Sequence, residues 1–358
     1  LRKTIFHPLH DVAGAKFGPF AGFFMPLFYP LGIMKEHLHT RAHAGLFDIS
    51  HMVHLEVSGP DAANVISRAC PYIAEDQESG SAKYTFMLNE DAGIIDDLIV
   101  TRLGDDRFLV VSNAACADID EAHLGEISKD FDAEIARIDR AFLALQGPDA
   151  EAALEKAGLS CADLDFMTGR EPQPGWFLSR TGYTGEDGFE IAIPNDYAIR
   201  FAEKLLADER VEWIGLGARD SLRLEAGLSL YGQDLSETIT PDEAGLIWAI
   251  PKPLREGGNY IGAATLAAKI KSGRKRKRIG LKPVDRTPVR ASANLTDGNG
   301  KEVGVVTSGG FGPTVGGPVA LALVTAEFDG DELFAQVRGK QVAMRPEKLP
   351  FITPNYKK

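Results

Sequence analysis

The sequence predicts an α+β protein that ends in an all-β domain, and three observations carry that expectation. The chain has 358 residues, long enough for two or three domains with several hydrophobic cores. The order strand, Gly-Pro-Asp-Ala, helix occurs twice, at Gly59-Pro60-Asp61-Ala62 and Gly147-Pro148-Asp149-Ala150, which points to two related α+β units. From Ile279 onward, short strand-type runs alternate with Gly- and Asp-rich turns, the pattern of a sandwich or a barrel.

Taken in order, residues 36–44 are expected to form a helix closing at Gly45. Glu36, His39 and His43 then share one stripe, a spacing a metal could use. No second ligand cluster accompanies it, so a polar helix face is the expected reading. Residues 53–57 alternate as a strand, and Gly59-Pro60-Asp61-Ala62 turns into a helix. Strands are expected at 84–88, 98–103 and 108–111, paired antiparallel through Asn89-Glu90-Asp91-Ala92-Gly93 and Gly104-Asp105-Asp106. A helix over 118–128 has Asp118 as its expected cap. Residues 141–146 read as a strand, and the helix after Ala150 reaches Ala157. Gly215-Leu216-Gly217 leads into a helix expected over 218–230, ending near Gly232, with Leu224, Leu228 and Tyr231 as its core stripe. Residues 269–278 are dense in Lys and Arg without interleaved aromatics. They read as a solvated linker rather than a nucleic-acid patch, with a basic surface for an acidic protein as the intermediate reading. The Gly-rich residues 309–317 lack a Lys-Ser/Thr ending and are not a phosphate loop.

Composition narrows the function. A formal net charge of −12 argues against general nucleic-acid or membrane-surface binding, since both favour a basic face. Cys70, Cys116 and Cys161 have no metal-ligand spacing and read as reduced thiols in a reducing compartment. The longest apolar run, residues 17–33, is broken by Gly and Pro and cannot span a bilayer as a plain helix. No secretory signal is visible, and a start at Leu1 is consistent with a trimmed leader. A soluble, intracellular protein is expected.

The most informative residues are Asp96 and Asp97, set inside Gly93-Ile94-Ile95-Asp96-Asp97-Leu98-Ile99-Val100. On a regular strand Asp97 shares a face with Ile95 and Ile99, and Asp96 shares the other with Ile94 and Leu98. At least one carboxylate then rests on apolar surface, where burial raises its pKa and makes a catalytic acid or base. The competing reading leaves both in water at a hairpin edge. A second candidate lies in Arg180-Thr181-Gly182-Tyr183-Thr184-Gly185-Glu186-Asp187-Gly188-Phe189-Glu190, whose glycines favour a tight turn between strands. Glu190 points away from the Phe189, Ile191, Ile193 face and suits ligand recognition, although pattern alone favours an exposed residue on an amphipathic hairpin. Arg219 and Arg223 form an i, i+4 like-charge pair costing roughly a few tenths of a kcal/mol. Asp220, Glu225, Asp234 or a bound carboxylate would answer it, and an internal ion-pair cluster is expected.

Several segments, in order, resemble one family over essentially the whole chain. They are Phe20-Ala21-Gly22-Phe23-Phe24-Met25-Pro26-Leu27, Gly45-Leu46-Phe47-Asp48-Ile49-Ser50-His51-Met52, residues 93–100, residues 181–190, Gly215-Leu216-Gly217-Ala218-Arg219-Asp220 and Leu230-Tyr231-Gly232-Gln233-Asp234. Thr307-Ser308-Gly309 with Pro313-Thr314, and Asn355-Tyr356-Lys357, complete the set. Together they resemble the aminomethyltransferase, or T-protein, family of the glycine cleavage system. The resemblance implies two interleaved α+β domains (1–50 with 138–235, and 51–137 with 236–275) and a jelly-roll-like all-β barrel over 276–358, in a ring around a folate site. It implies tetrahydrofolate as co-substrate, no metal, and the lipoylated H-protein as partner of a monomeric enzyme. The implied products are 5,10-methylenetetrahydrofolate, ammonia and the dihydrolipoyl arm. The compartment would be the cytoplasm, or the mitochondrial matrix in a eukaryote.

By match, the resemblance makes Asp97 the catalytic residue beside the reacting folate nitrogens. It makes Glu190 the holder of the pterin edge, accepting two neighbouring N–H groups. Arg219, Tyr183, Tyr356, Tyr84, Met52, Asn113, Tyr231 and Trp248 are implied to face the ligand. The chain departs from the family pattern at Phe23, Phe24, Gly310 and Gly312, and at Ala92-Gly93, where Gly-Gly is commoner. Relatives that demethylate small compounds onto tetrahydrofolate are the alternative. A folate-binding assembly factor for iron–sulfur clusters is disfavoured, since its Lys-Gly-Cys motif is absent.

Overall fold

Runs of β-branched and aromatic residues gather into four sheets, and the helices cover the faces those sheets leave apolar. A computed structural model describes residues 1–357. Lys16–Phe20 and Phe23–Phe28 form a small antiparallel hairpin. A six-stranded sheet runs Gly169–Arg170, Phe177–Ser179, Gly188–Ile193, Ala141–Gln146, Ala44–Asp48, Val211–Trp213, parallel only at its last pair. A five-stranded antiparallel sheet runs Ala82–Leu88, Ile94–Gly104, Arg107–Ser112, Val53–Ser58, Glu134–Ile138. Arg276–Pro283, Gly317–Thr325, Glu302–Gly312, Asn294–Thr296, Leu333–Val337 and Lys340–Glu347 close into a barrel. The barrel settles the open choice between sandwich and barrel.

The two larger sheets pack face to face. Phe47, Phe142, Ala144 and Ala192 meet Leu109 and Val111, with Ala218 and Leu222 of the helix Leu216–Glu225 joining them. The outer face of the six-stranded sheet carries Leu46, Leu143 and Ile191 against Leu154 and Phe201 of two helices. With both faces covered, Ala141–Gln146 and Gly188–Ile193 are buried at every position, so they read as continuous apolar runs rather than alternating ones. The outer face of the five-stranded sheet lies under Ala62–Ala69 and Ala117–Ser128, through Val65, Ile66, Leu124 and Ile127. Each such side chain contributes about 1.5–3 kcal/mol on burial.

The repeated Gly-Pro-Asp-Ala turn is built the same way twice. Gly59 and Gly147 have φ of 125° and 128°, and a Cβ on either would strike a carbonyl, Asp132 O at 2.6 Å or His43 O at 2.0 Å. Each turn delivers the chain into a short helix, Ala62–Ala69 or Ala150–Lys156.

Several expectations are corrected. The helix expected over 36–44 spans Ile33–Ala42, after a short helix at His7–Val12, and Gly45 lies in a buried strand. Glu36 is not on a polar face: its buried carboxylate accepts the N–H groups of Tyr29 at 2.7 Å and Gly215 at 2.8 Å. Asp118 caps nothing. The cap position is Cys116, and Asp118 instead pairs with Arg137 at 2.7 Å. The helix expected over 218–230 spans Leu216–Glu225, since Gly227 turns left-handed at φ 70°, and Leu228 and Tyr231 fall outside it. The basic run is not simply a linker. Lys269 and Lys271 belong to the helix Ala263–Ser272, and a barrel strand already begins at Arg276. Arg276 lies on Glu243 at 2.8 Å. All three cysteines are free and buried. Among the described residues, no helix is long and apolar enough to cross a membrane.

The turn before the Asp pair is sterically tight. A Cβ on Gly93 would lie 1.7 Å from the Glu237 carbonyl oxygen, while Ile94 N–H bonds to Ser236 O and Ile239 O. Gly93→Ala is expected to cost about 3 kcal/mol or more through this clash. Thermal unfolding checks it, and a melting point within about 2 °C of wild type would show that the turn yields freely.

Candidate active site

Asp96 and Asp97 lie well inside the strand Ile94–Gly104, not at a hairpin edge. The strand is not regular there. Met87 pairs with Asp96 but Leu88 with Ile94, leaving Ile95 as the extra residue of a bulge. The faces therefore differ from strict alternation. Ile95 joins Met87, Leu98 and Val100 on the side of Asp96, and Ile94 joins Phe86 on the side of Asp97.

Asn113, just past the end of the neighbouring strand, ties the two acids together. Its backbone N–H donates to Asp96 Oδ2 at 3.0 Å and its amide to Asp96 Oδ1 at 2.8 Å. The same amide reaches the Asp97 carbonyl at 2.9 Å and Asp97 Oδ1 at 3.2 Å. From the strand on the other side, the Tyr84 hydroxyl donates to Asp97 Oδ2 at 2.9 Å. Burial, and next the charge of Asp96, push Asp97 up to about 7, against the opposing bonds from Tyr84 and Asn113. A carboxylate poised there can exchange a proton at neutral pH.

Across the sheets, Glu190 is buried rather than exposed, which overturns the amphipathic-hairpin reading. Its strand is central in its sheet, so both faces are covered. The Thr181 hydroxyl donates to Glu190 Oε2 at 2.6 Å. Burial raises the Glu190 pKa, and Thr181 and Arg219 oppose the rise. The like-charge pair resolves unequally. Arg223 takes Asp220 at 2.8 Å and Asp234 at 2.9 Å, as an ion-pair cluster should. Among the described residues Arg219 takes no carboxylate: its guanidinium lies 4.9 Å from the centre of the Tyr183 ring, and its buried Nη1 has no partner. Burial lowers the Arg219 pKa, and Glu190 then Tyr183 counter this.

Tyr84, Asn113 and Tyr231 are thus gathered around the Asp pair, with the Tyr231 hydroxyl donating to Ile94 O at 3.2 Å. Trp248 stacks on Tyr84 at 5.7 Å and is 64% exposed. Tyr183 lies near enough for Asp97 and Arg219 both to act on its hydroxyl, which donates to Ser229 O. Met52 instead packs beside the core between the two sheets. Tyr356 stacks on Phe166 at 4.2 Å, beside Arg41 and Glu186. Neither contacts the Asp pair among the described residues.

Sequence reasoning missed Asp120, which is wholly buried behind Asp96. The signal was present. Ala117, Asp120, Leu124 and Ile127 form the buried stripe of their helix, with one carboxylate among apolar residues. Thr181 was quoted only as part of a turn, yet it holds Glu190. His51 was also passed over. It is buried beside Arg219 and held neutral, its pKa down at about 4.

Known proteins match this architecture closely. The model of the GCVT N-terminal domain covers residues 6–253, and that of the glycine cleavage T-protein C-terminal barrel domain covers residues 276–352. Curated relatives include mitochondrial aminomethyltransferases of Dictyostelium discoideum, 39% identical over 100% of this chain and 94% of its own length, and of Gallus gallus, 39% identical over 99% and 94%. The crystal structure of glycine cleavage system aminomethyltransferase T from Bartonella henselae is 51% identical, with a TM-score of 0.98 over 100% of both chains. With both domain models and full-length relatives in agreement, the chain belongs to the aminomethyltransferases, the T-protein family of the glycine cleavage system.

Proposed function

We propose that this protein moves the one-carbon unit of an aminomethyl group, carried on the lipoyl arm of the H-protein, to tetrahydrofolate. The observation that carries the reading is Asp97, half-buried between Tyr84 and Asn113, which donate to its two oxygens, and raised to about 7. Bound tetrahydrofolate would supply the amine that takes up the carbon. Asp97 accepts the proton that this amine sheds and balances the positive charge that develops beside it. Tyr84 and Asn113 keep that carboxylate aimed. The residues present fit a folate. Glu190 offers a buried carboxylate to adjacent N–H donors of the pterin, and the partnerless Nη1 of Arg219 offers a donor for a carbonyl or carboxylate. Tyr183, Tyr231 and Trp248 supply ring faces near these groups. Met52 and Tyr356 would bound the site from further away.

The reverse reaction tests the whole reading. Methylenetetrahydrofolate, ammonia and reduced lipoyl H-protein are mixed with the enzyme, and the H-protein is weighed by mass spectrometry. An aminomethyl adduct is expected. Folate binding without an adduct would move the protein to the demethylating relatives.

Asp97→Asn keeps the shape and removes the base, so turnover should fall by about 100-fold or more with folate binding retained. The same change should stabilise the fold. A folded-state pKa raised above the unfolded 3.8 means that ionised Asp97 costs stability above about pH 7. The variant should therefore melt higher than wild type at about pH 8. That advantage should fade as pH falls through 7 toward 4, and equal melting points at the higher pH would contradict the burial argument. Glu190→Gln replaces one of the two acceptors by a donor and should weaken binding of tetrahydrofolate by about 10-fold, or 1.4 kcal/mol. Calorimetric titration reads this directly, and unchanged affinity would remove Glu190 from the pterin site.

A further inference from the structure

Asp120 poses a problem that the reaction so far does not use. It is 0% exposed, and neither carboxylate oxygen has a hydrogen-bond partner among the described residues. The hydroxyl of Ser112 beside it is also buried and unpartnered. An ionised carboxylate left so costs several kcal/mol. Yet Asp120 faces the Asp96 side of the strand, on the helix stripe whose Leu124 and Ile127 pack with Ile95 and Leu98, and the Asp96 carboxylate and Ser112 are its polar neighbours there. Two facing carboxylates so buried hold together only if one carries a proton. The structure also says which. Burial raises the Asp96 pKa as well, but Asp96 accepts two N–H bonds from Asn113, and these with the Cys116 thiol favour its anion. Asp120 accepts no such bond.

We propose that Asp120 is a protonated acid that donates to Asp96, and that through Asp96 and the Asn113 bridge it positions Asp97. The proton stays on an Asp120 oxygen; Asp96 keeps the charge. The titratable groups around Asp120 are Asp96 and Asp97 on the strand, Cys116 at the cap of its own helix, Cys70 just past the helix Ala62–Ala69, and Tyr231. None is a cation. Burial, then the Asp96 charge, push Asp120 up to about 9, in keeping with this assignment. Those acting on Asp97 are Asp96, Tyr84 and Asn113, with Tyr183, Cys116 and Asp120 behind them. The Asp96 charge is one of the two influences that raise Asp97. Asp120 is therefore a positioning residue, and it helps to set the pH at which Asp97 works. The inference rests on the role of Asp97 proposed above.

Two variants and one spectrum test it. In Asp120→Asn the amide still donates to Asp96, so the acid limb of kcat/KM should stay where it is. In Asp120→Ala the Asp96 anion loses its donor and takes up a proton itself. Its charge then no longer raises Asp97, and the limb should move down by about one pH unit. A merely structural role would lower activity in the alanine variant without moving the limb, and that result would overturn the coupling. Infrared difference spectra of protein carrying carboxyl-13C aspartate read the proton without reference to activity. At about pH 8.5, where Asp97 is ionised and Asp120 is not, a carboxylic-acid band should be present in wild type and missing in Asp120→Asn. A wild-type spectrum lacking that band, or a band that survives the substitution, would overturn the protonated acid. Should Asp97→Asn prove fully active, the role of Asp97 falls, and the infrared band still decides the state of Asp120.

Discussion

Two neighbouring carboxylates on one strand point to opposite sides of a sheet, Asp96 into a wholly buried side and Asp97 into a half-buried one beside Tyr84. Every ionised group so placed must find donors within the fold, because removing an isolated carboxylate from water costs several kcal/mol. A whole domain is stable by only about 5–15 kcal/mol, so this one demand shapes everything near it. It places Asn113 at the mouth of the adjacent strand, where one side chain serves both acids. It places Tyr84 on the other flanking strand. It also brings a third acid, Asp120, onto a helix stripe that would otherwise be wholly apolar. The bulge at Ile95 lets this arrangement coexist with a packed core, since it sends Ile94 and Ile95 to the two separate apolar clusters.

The same economy of buried charge fixes how the barrel sits on the rest of the chain. Arg223, almost wholly buried, reaches Asp234 and the Ser308 hydroxyl at 2.9 Å each, and Thr307 donates to the same Asp234 from the barrel. Two residues on, Glu225 accepts the N–H groups of Thr314 and Val315 at 2.8 and 3.0 Å while pairing with His37 and Arg41. Breaking one partner of such a buried set strands the other and costs about 3–5 kcal/mol. Gly312, a departure from the family pattern, belongs to this joint. A Cβ there would come within 2.7 Å of Glu225 Oε1. The loop bearing Tyr183, which leads into the strand of Glu190, is anchored likewise, by Arg180 on Asp187 and Glu151.

Much of this was legible in the sequence because it was local. The strands at 53–57, 84–88 and 108–111, and both Gly-Pro-Asp-Ala turns, follow from side-chain pattern and glycine geometry alone. The Asp pair declared itself by sitting among strand residues. What escaped reading depended on contacts distant in sequence. Nothing around Glu190 reveals that its strand lies in the middle of a sheet, with partners drawn from 141–146 and 177–179. Nothing near Glu36 announces that it will bind the N–H of Gly215, far along the chain. The over-long helix at 218–230 is different in kind. Its apolar spacing was genuine, but Gly227 outweighed it by allowing a left-handed turn. Asp120 could have been found, since a lone carboxylate on an apolar helix stripe is itself a sign of a partner.

Trp248 carries an optical consequence. Of the three tryptophans, Trp176 and Trp213 are each only 6% exposed, while Trp248 is open to solvent and stacked on the ring whose hydroxyl holds Asp97. A water-borne collisional quencher therefore sees one indole out of three, and that indole stands one ring away from Asp97. The emission of the protein divides into a shielded structural background and a single accessible lamp at the doorway of the site.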